Sequence, residues 1–299
     1  MYRTTALLIL VAVVLSSSAA MAQYITGVLA DNELTPGLTT ARYSGMGGVG
    51  VAAADDNGAI NFNPANLGAL NIASDAAADT EDEDWDWQVG GTIEAAGELD
   101  YWAVHLAGNN PSKGRGFGAS FHSTDAPASI VADWWLAGIG SRLCDSPWHI
   151  GLSVLESDED LYGDETILNF GLLYKCESDS ERPIRAGLTV EDLTEELDSV
   201  GPFLNLGVAV PFTCGGGEGL VGVDLLDATD EVESLLNVGV ELRTRQSWAF
   251  RAGLVDSDRL TVGAGYDGGE WRADVSWAEE DVRGSADNQV LVTVSALLK

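Results

Sequence analysis

The chain has 299 residues, with 15 Lys and Arg against 47 Asp and Glu, for a formal net charge of −32. This acidity excludes nucleic acid as a partner, because binding to phosphates requires basic patches. Three cysteines, Cys144, Cys176 and Cys214, and three histidines show no C-x-x-C or Cys/His metal spacing. The sequence therefore predicts no metal site and no cofactor, and the odd count leaves at least one thiol free unless chains are cross-linked.

The first residues have the features of a secretory signal peptide. Arg3 supplies the positive start, an apolar run extends over residues 6–15, and small residues lead to Ala20-Met21-Ala22. The apolar run has about ten residues, whereas a membrane-spanning helix requires roughly 20. We therefore predict a signal peptide over residues 1–22 and an exported chain that begins at Gln23.

The exported part divides into two regions by pattern. Residues 23–84 show no sustained alternation, are rich in Gly, Ala and Asn, and end in the acidic run DTEDED. From Trp85 onward, short alternating runs are separated by turn residues. Three of these runs contain L-N-x-G, with Asn169, Asn205 and Asn237 spaced 36 and 32 residues apart. Repeated two-strand units of this length are typical of a β-meander or a β-barrel.

The alternating runs predict about fourteen strands of about ten residues, a length typical of tilted membrane strands. One face of each run is apolar and the other is small or polar, as in Leu204, Leu206 and Val208 against Asn205 and Gly207. The period alone leaves open which face points outward. The predicted strands cover residues 86–95, 99–107, 114–122, 131–143, 147–156, 165–175, 183–191, 202–213, 219–226, 233–244, 247–255, 259–267, 270–279 and 287–298.

Loops and aromatic residues favour a membrane barrel over a secreted soluble β-protein. The loops predicted after odd-numbered strands are longer and acidic (ESDEDLYGDE, VEDLTEELDSV, DATDEVE, AEEDVRGSADN), and those after even-numbered strands are shorter and more basic. Outer-membrane barrels have short periplasmic turns and longer outer loops. The three cysteines are predicted on the short-turn side. Six aromatic residues there predict an interfacial girdle: Trp148, Tyr174, Phe212, Trp248, Tyr266 and Trp271.

The segment from Ala41 to Leu70 resembles the N-terminus of the FadL / PorV outer-membrane superfamily, the long-chain fatty-acid transporter type. Its motifs here are GMGG, ADD and NPA, followed near the C-terminus by L-N-x-G-x-E, R-A-G and L-T-x-G-x-G-Y. The residue after NPA is Asn66 where Gly is usual, and the chain ends in Lys299 rather than an aromatic residue. The resemblance implies a hatch with the motif residues Gly45, Gly47, Gly48, Asp55, Asp56, Asn63, Pro64 and Ala65.

The combined prediction is an all-β fold, a transmembrane antiparallel β-barrel of about 14 strands over residues 85–299 with a hatch or plug over residues 23–84. Five charged residues are predicted to face the lumen, where a structural ion-pair network is favoured over a ligand site: Arg185, Glu241, Arg251, Arg272 and Asp274.

Enzyme chemistry is not predicted. His122 and Ser123 are adjacent on a predicted strand and therefore point to opposite faces, which argues against a nucleophile–base pair. The acidic run from Asp79 to Asp86 lacks the Gly and the ligand spacing of a calcium loop, so a solvated linker is favoured.

The resemblance predicts passive transport of small hydrophobic molecules across the outer membrane, with outer-membrane lipid and a small hydrophobic ligand as partners. Small inner-face residues such as Gly171, Gly207 and Gly239 are predicted to leave room beside the hatch. The alternative is a PorV-like partner of secreted proteins, because short loops offer little surface for capture and acidic loops would repel a fatty-acid carboxylate. A secreted soluble β-protein is the second alternative.

Overall fold

The computed structural model describes residues 39–70, 85–96, 100–126, 130–158, 166–176, 183–193, 202–228, 234–256, 259–282 and 285–298. The predicted signal peptide, the terminal Lys299 and residues 23–38 and 71–84 of the predicted hatch lie outside these ranges. Within them, no helix is long and apolar enough to cross a membrane.

Fourteen antiparallel strands form one closed barrel, in which each strand pairs with its sequence neighbours and β1 pairs with β14. This confirms the predicted all-β barrel. The strands are β1 Asp86–Ala96, β2 Trp102–Asn110, β3 Arg115–Ala126, β4 Ile130–Arg142, β5 Trp148–Asp158, β6 Thr166–Lys175, β7 Arg185–Glu191, β8 Phe203–Cys214, β9 Gly217–Leu226, β10 Leu235–Arg243, β11 Trp248–Val255, β12 Arg259–Asp267, β13 Trp271–Val282 and β14 Ser285–Leu298.

The apolar face of the alternating pattern points out of the barrel. On β8, Leu206, Val208 and Val210 are 38%, 45% and 42% exposed, whereas Asn205 and Ala209 between them are 7% and 0% exposed. A soluble barrel or sandwich would bury its apolar face and expose the polar one. The observed orientation, in which every strand is also paired on both edges, is the arrangement that lipid requires.

One rim of the barrel, where even-numbered strands end and odd-numbered strands begin, is called the short-turn rim below. The rings of Trp148 and Tyr174 lie 5.0 Å apart near it, and those of Trp248 and Tyr266 lie 5.2 Å apart. With the rings of Tyr266 and Trp271 at 5.5 Å, these cross-strand pairs contain five of the six predicted girdle residues, all but Phe212. Cys144, Cys176 and Cys214 also lie at this rim, and all three are free thiols.

At the opposite rim, called the long-loop rim, one of the predicted acidic loops is instead part of a hairpin. The run AEEDVRGSADN is not a loop, because β13 extends to Val282 and β14 begins at Ser285. Glu279 pairs with Asn288 in this hairpin. Strand pairing satisfies backbone groups whatever the side chains, so acidic residues can extend a hairpin beyond the lipid. The predicted difference in length between the loops of the two rims does not hold everywhere. At the short-turn rim, β6 ends at Lys175 and β7 begins only at Arg185.

Candidate functional site: the filled lumen

The described part of the predicted hatch, Thr39–Leu70, lies inside the barrel and is called the inner segment below. Its short helix, Ala41–Ser44, contacts β12, β13 and β14, and the N–H of Ala41 donates to Thr293 Oγ1 on β14 at 2.8 Å. Its 3₁₀ helix Pro64–Ala69 contacts the other side of the barrel, β2 to β6. One segment therefore reaches opposite walls and occupies the lumen between them.

Inward-facing glycines around the wall make this fit possible. A Cβ added to Gly239 would overlap the carbonyl oxygen of Met46, and one added to Gly171 would overlap Asn63 Oδ1. The room that was predicted beside the hatch is thus filled by the inner segment itself. The glycines that meet the inner segment in this way are called the glycine ring: Gly90, Gly116, Gly118, Gly138, Gly140, Gly151, Gly171, Gly187, Gly207, Gly222, Gly239, Gly253 and Gly263.

The predicted hatch motif holds the turns of the inner segment. Gly47 and Gly48 have φ angles of 69° and 74°, a region that favours glycine. Asn63 begins the 3₁₀ helix, because its side-chain oxygen accepts a bond from Ala65 N at 3.0 Å and Pro64 follows in the first helical position. Gly45, at the start of the motif, packs on the wall strand β12.

Asn side chains also tie the inner segment together and to the barrel. The amide nitrogen of Asn63 donates to the carbonyls of Val51 and Leu172, at 3.0 and 3.2 Å. Asn66, the residue after the NPA motif, donates to the carbonyl of Gly50 at 3.2 Å. This bond joins two turns of the inner segment.

A buried group of charges holds the inner segment to the wall on the short-turn side of the glycine ring. Arg42 is 1% exposed and donates through Nε and Nη2 to the two carboxylate oxygens of Glu241, at 3.0 and 3.1 Å. Its Nη1 donates to Asp56 at 2.9 Å and also to Asp55. A fully buried guanidinium is stable only with such complete pairing.

The wall supplies the rest of this Arg42 cluster. Arg251 Nε lies 2.8 Å from Glu241 Oε2, and Arg272 Nε lies 2.7 Å from Asp274 Oδ2. Arg272 also reaches Asp56, at 3.5 Å. The predicted lumenal charges are therefore brought together around a residue of the inner segment. The fifth, Arg185, lies apart from them and contacts Asp55 Oδ2 at 3.6 Å.

The two aspartates of the inner segment are held in their charged form. Burial alone would raise the pKa of Asp55, but the Arg42 guanidinium, with Arg185 and Arg243, holds that pKa well below its usual range. Burial would likewise raise the pKa of Asp56, and Arg42 and Arg272 lower it. Both carboxylates therefore remain ionised at neutral pH and keep the pairs intact.

Sequence reasoning missed Arg42 and Asp224. Arg42 is the one cation between residues 39 and 70, and that isolation beside the GMGG motif was an available signal. Asp224 is 0% exposed, and its Oδ2 accepts bonds from Gly50 N and Val51 N, at 2.7 and 2.9 Å. It interrupts the apolar run GLVGVDLL at an inward position, which was the second available signal.

On the long-loop side of the glycine ring, part of the inner wall is apolar and lies between buried polar residues that include Asn169, Asn205, Asp224 and Asn237. The apolar side chains are less than 9% exposed and pack with Tyr43, Ile60 and Leu67 of the inner segment. Membrane barrels usually have a polar interior, so this layer distinguishes the lumen from that of a water-filled porin. Its wall residues are Tyr101, Ala103, Trp134, Leu136, Leu155, Ile167 and Leu291.

His122 is embedded in this apolar layer. Its ring stacks on Trp134 with centroids 4.9 Å apart, and its Nδ1 lies 2.9 Å from the hydroxyl of Tyr101. Its Nε2 lies 3.0 Å from Asn61 Oδ1 of the inner segment. Ser123 Oγ instead donates to Asp133 at 2.5 Å, so the two residues that sequence reasoning separated are bound to different partners. In the described part of the chain, no group of three His, Cys, Asp or Glu is placed to hold a metal ion.

No family profile and no curated protein sequence matches the chain. Solved structures do match it, among them a deletion mutant of the monoaromatic hydrocarbon channel TodX, with a TM-score of 0.50 and 13% identity over 86% of this chain and 97% of that one. Omp33, an outer-membrane protein of Acinetobacter baumannii, matches with a TM-score of 0.50 and 9% identity, over 73% and 99% of the two chains. The P. putida toluene transporter TodX matches with a TM-score of 0.49 and 10% identity, over 92% and 98%.

The closed sheet and its apolar outer surface define the class of protein, a transmembrane β-barrel of the outer-membrane type. Within that class, the likeness to the TodX channel mutant supports a FadL-like fold.

Proposed function

We propose that the barrel gives small hydrophobic molecules a passive route across the outer membrane. The observation that carries the proposal is the apolar layer on the long-loop side of the lumen, where Leu136, Leu155 and Ile167 are 2%, 1% and 5% exposed. Transfer of apolar surface from water to such a lining is favourable by roughly 25 cal/mol per Å², once the inner segment that packs on it has moved aside. A charged or strongly polar solute would lose hydration there without compensation.

The inner segment makes the same lumen unsuited to a general pore. Its backbone packs directly against the glycine ring, and the buried Arg42 cluster holds it to the wall. Among the described residues, these contacts leave ions no open aqueous path at the level of the glycine ring. Passage of a solute then requires a local shift of the inner segment or release of the solute sideways into lipid. Aromatic hydrocarbons and long-chain fatty acids are the probes to compare, since the structural likeness includes a monoaromatic hydrocarbon channel.

The test is uptake of labelled toluene and of a labelled long-chain fatty acid by cells with and without the gene. Leu155→Asn places an amide in the apolar layer and is expected to lower uptake several-fold. The matched control is Leu220→Asn, a buried leucine on the short-turn side of the glycine ring. Equal uptake with and without the gene, for every hydrophobic solute tried, would overturn the proposal. Co-purification of a secreted protein in that case would favour the secretion-partner role.

A further inference from the structure

Three cations lie close together on the inner wall at the short-turn rim. Arg142 ends β4, Lys175 ends β6 and Arg185 begins β7. Lys175 lies directly opposite Arg185, and Arg142 lies directly opposite His149 on the intervening strand β5. Directly opposed side chains have Cβ atoms about 4.5–5.5 Å apart. These four residues therefore form one continuous surface, called the cation patch below.

The cation patch points into the lumen rather than to lipid. His149 is 5% exposed, and the Arg185 side chain is 13% exposed and reaches Asp55 of the inner segment. On β6, Leu173 shares the inner face with Lys175 and is fully buried. The patch thus lies beside the inner segment at the mouth of the lumen.

Among the described residues, few acids compensate the charges of the cation patch. Within the described residues, Asp55 is the single acid in ion-pair contact with it, and Asp55 is already bound by Arg42. Arg142 and Lys175 form no ion pair with any described residue, and Arg142 Nε is buried without a hydrogen-bond partner. The Arg42 cluster, across the same lumen, instead matches each guanidinium with a carboxylate.

A cluster of cations with so few described counter-charges is unexpected in an acidic chain and is electrostatically unfavourable. The chain has 47 acids and only 15 cations, yet three of those cations share one partly buried surface. Like charges directly opposite each other on a sheet are destabilising, and a buried charge without a counter-charge is costly. An anion that entered the patch would remove both penalties.

We propose that the cation patch binds a small oxyanion, a carboxylate or phosphate group, that arrives from the short-turn side. The planar guanidinium groups of Arg142 and Arg185 can each hold two oxygens of such a group, and Lys175 adds a point charge. The site is separate from the apolar layer and does not depend on the proposed transport. A free anion and the headgroup of a phospholipid offer the same chemistry, so the experiment must separate them.

The first arm measures binding of inorganic phosphate to the full chain in a neutral detergent, by phosphorus NMR at constant ionic strength. We expect saturable binding, weakened about tenfold or more by Arg142→Gln with Lys175→Gln. The control is Arg245→Gln, which removes one positive charge at the same rim from an exposed side chain whose Nε donates to Gly216 O at 2.8 Å. The control is expected to bind within about twofold of the parent.

The second arm uses nanodiscs of phosphatidylglycerol or phosphatidylcholine, with lipid retention measured by native mass spectrometry. Preferential retention of the anionic lipid, lost in the double variant and kept in Arg245→Gln, would identify a headgroup as the source. Retention of neither lipid together with phosphate binding would identify a free anion. The absence of saturable binding of both probes to the parent, or an equal loss in the control, would overturn the proposal.

A thermal readout keeps the test valid if the double variant folds poorly. Lys175→Gln alone relieves the repulsion with Arg185, so its Tm without phosphate is expected to equal or exceed that of the parent. Phosphate should raise the Tm of the parent and have a smaller effect on the variant, because a ligand stabilises only the state that binds it. An equal rise in both proteins would count against the site.

Discussion

The two halves of the lumen are built from opposite chemistry on the same fourteen strands. On the short-turn side of the glycine ring, Arg42, Glu241 and Arg251 form a buried ionic network. On the long-loop side, Leu136 and Leu155 belong to an apolar layer that contains none of these three charges. The outward faces of the strands do not change between the halves. The lipid-facing alternation therefore specifies the barrel, and the inward positions remain free to carry an ionic anchor at one end and an apolar layer at the other.

The largest expected effect is loss of the ionic anchor. Arg42→Met would leave Glu241, Asp55 and Asp56 buried without their shared cation, and removal of one partner from a buried pair costs about 3–5 kcal/mol. We expect a loss of that order in the free energy of unfolding, measured by urea titration of the refolded barrel. Arg245→Met, at the exposed rim, should change it by less than about 0.5 kcal/mol. If the two variants were equally stable, the ionic half would not be an anchor.

Adding a side chain at a position of the glycine ring tests whether the inner segment must pack closely against the wall to stay in place. Gly239→Val would drive a branched side chain against the carbonyl of Met46. Overpacking of this kind costs about 1–3 kcal/mol, which here can be relieved by displacing the inner segment. We expect higher and noisier single-channel conductance in planar bilayers. Val238→Leu, its neighbour on the lipid-facing side, is the control and should leave conductance unchanged.

Acid should weaken the ionic half and leave the apolar half intact. The pKa values of Asp55 and Asp56 are lowered in the folded protein. Their contribution to stability is therefore fully present above the pKa of an unfolded aspartate, near 4, and is lost as the pH falls through the lower folded values. We expect Tm to hold down to about pH 4 and to drop below it. In the double variant Asp55→Asn with Asp56→Asn, Tm should be lower at neutral pH and flatter in acid, and parallel curves would contradict this assignment.

Much of the fold could be predicted because its signal repeats in every strand. The outward face of β8, with Leu206, Val208 and Val210, has an apolar residue at each second position, and a strand displays that period directly. The prediction that AEEDVRGSADN forms a loop was wrong, because an acidic composition does not prevent a segment from pairing as a hairpin.

The candidate site was only partly predictable, since its contacts join residues far apart in sequence. The charges Glu241, Arg251 and Asp274 could be placed on the inner face by alternation. Arg42, which binds Glu241, lies 199 residues before it, in a segment with no period to assign its side chains to a face. The glycines could be predicted to be small inward residues. The reason that they must be small is the close approach of the inner segment, which the sequence does not show.

The repeated L-N-x-G motif is the clearest case of a pattern whose reason needed the structure. Its Gly belongs to the glycine ring, in Gly171, Gly207 and Gly239. Its Asn, two residues earlier, sits one inward position closer to the long-loop rim. There Asn169 Oδ1 accepts a bond from the N–H of Asp192 at 3.1 Å. Asp192 has a φ of 54°, a conformation that costs free energy in any residue but glycine.

The smallest expected effect comes from this hydrogen bond, which fixes a strand end on the apolar side. In Asn169→Ala, the N–H of Asp192 loses its acceptor in a buried position, at a cost of about 1 kcal/mol. Asp192→Gly should offset part of that cost in the double variant, because glycine adopts positive φ without strain. Urea titration of the four proteins gives the coupling between the two positions. If Asn169→Ala were as stable as the parent, the hydrogen bond would not stabilise the turn. The same cycle on Asn205 and Asp227, where the N–H of Asp227 donates to Asn205 Oδ1 at 2.9 Å, would test the next copy of the repeat.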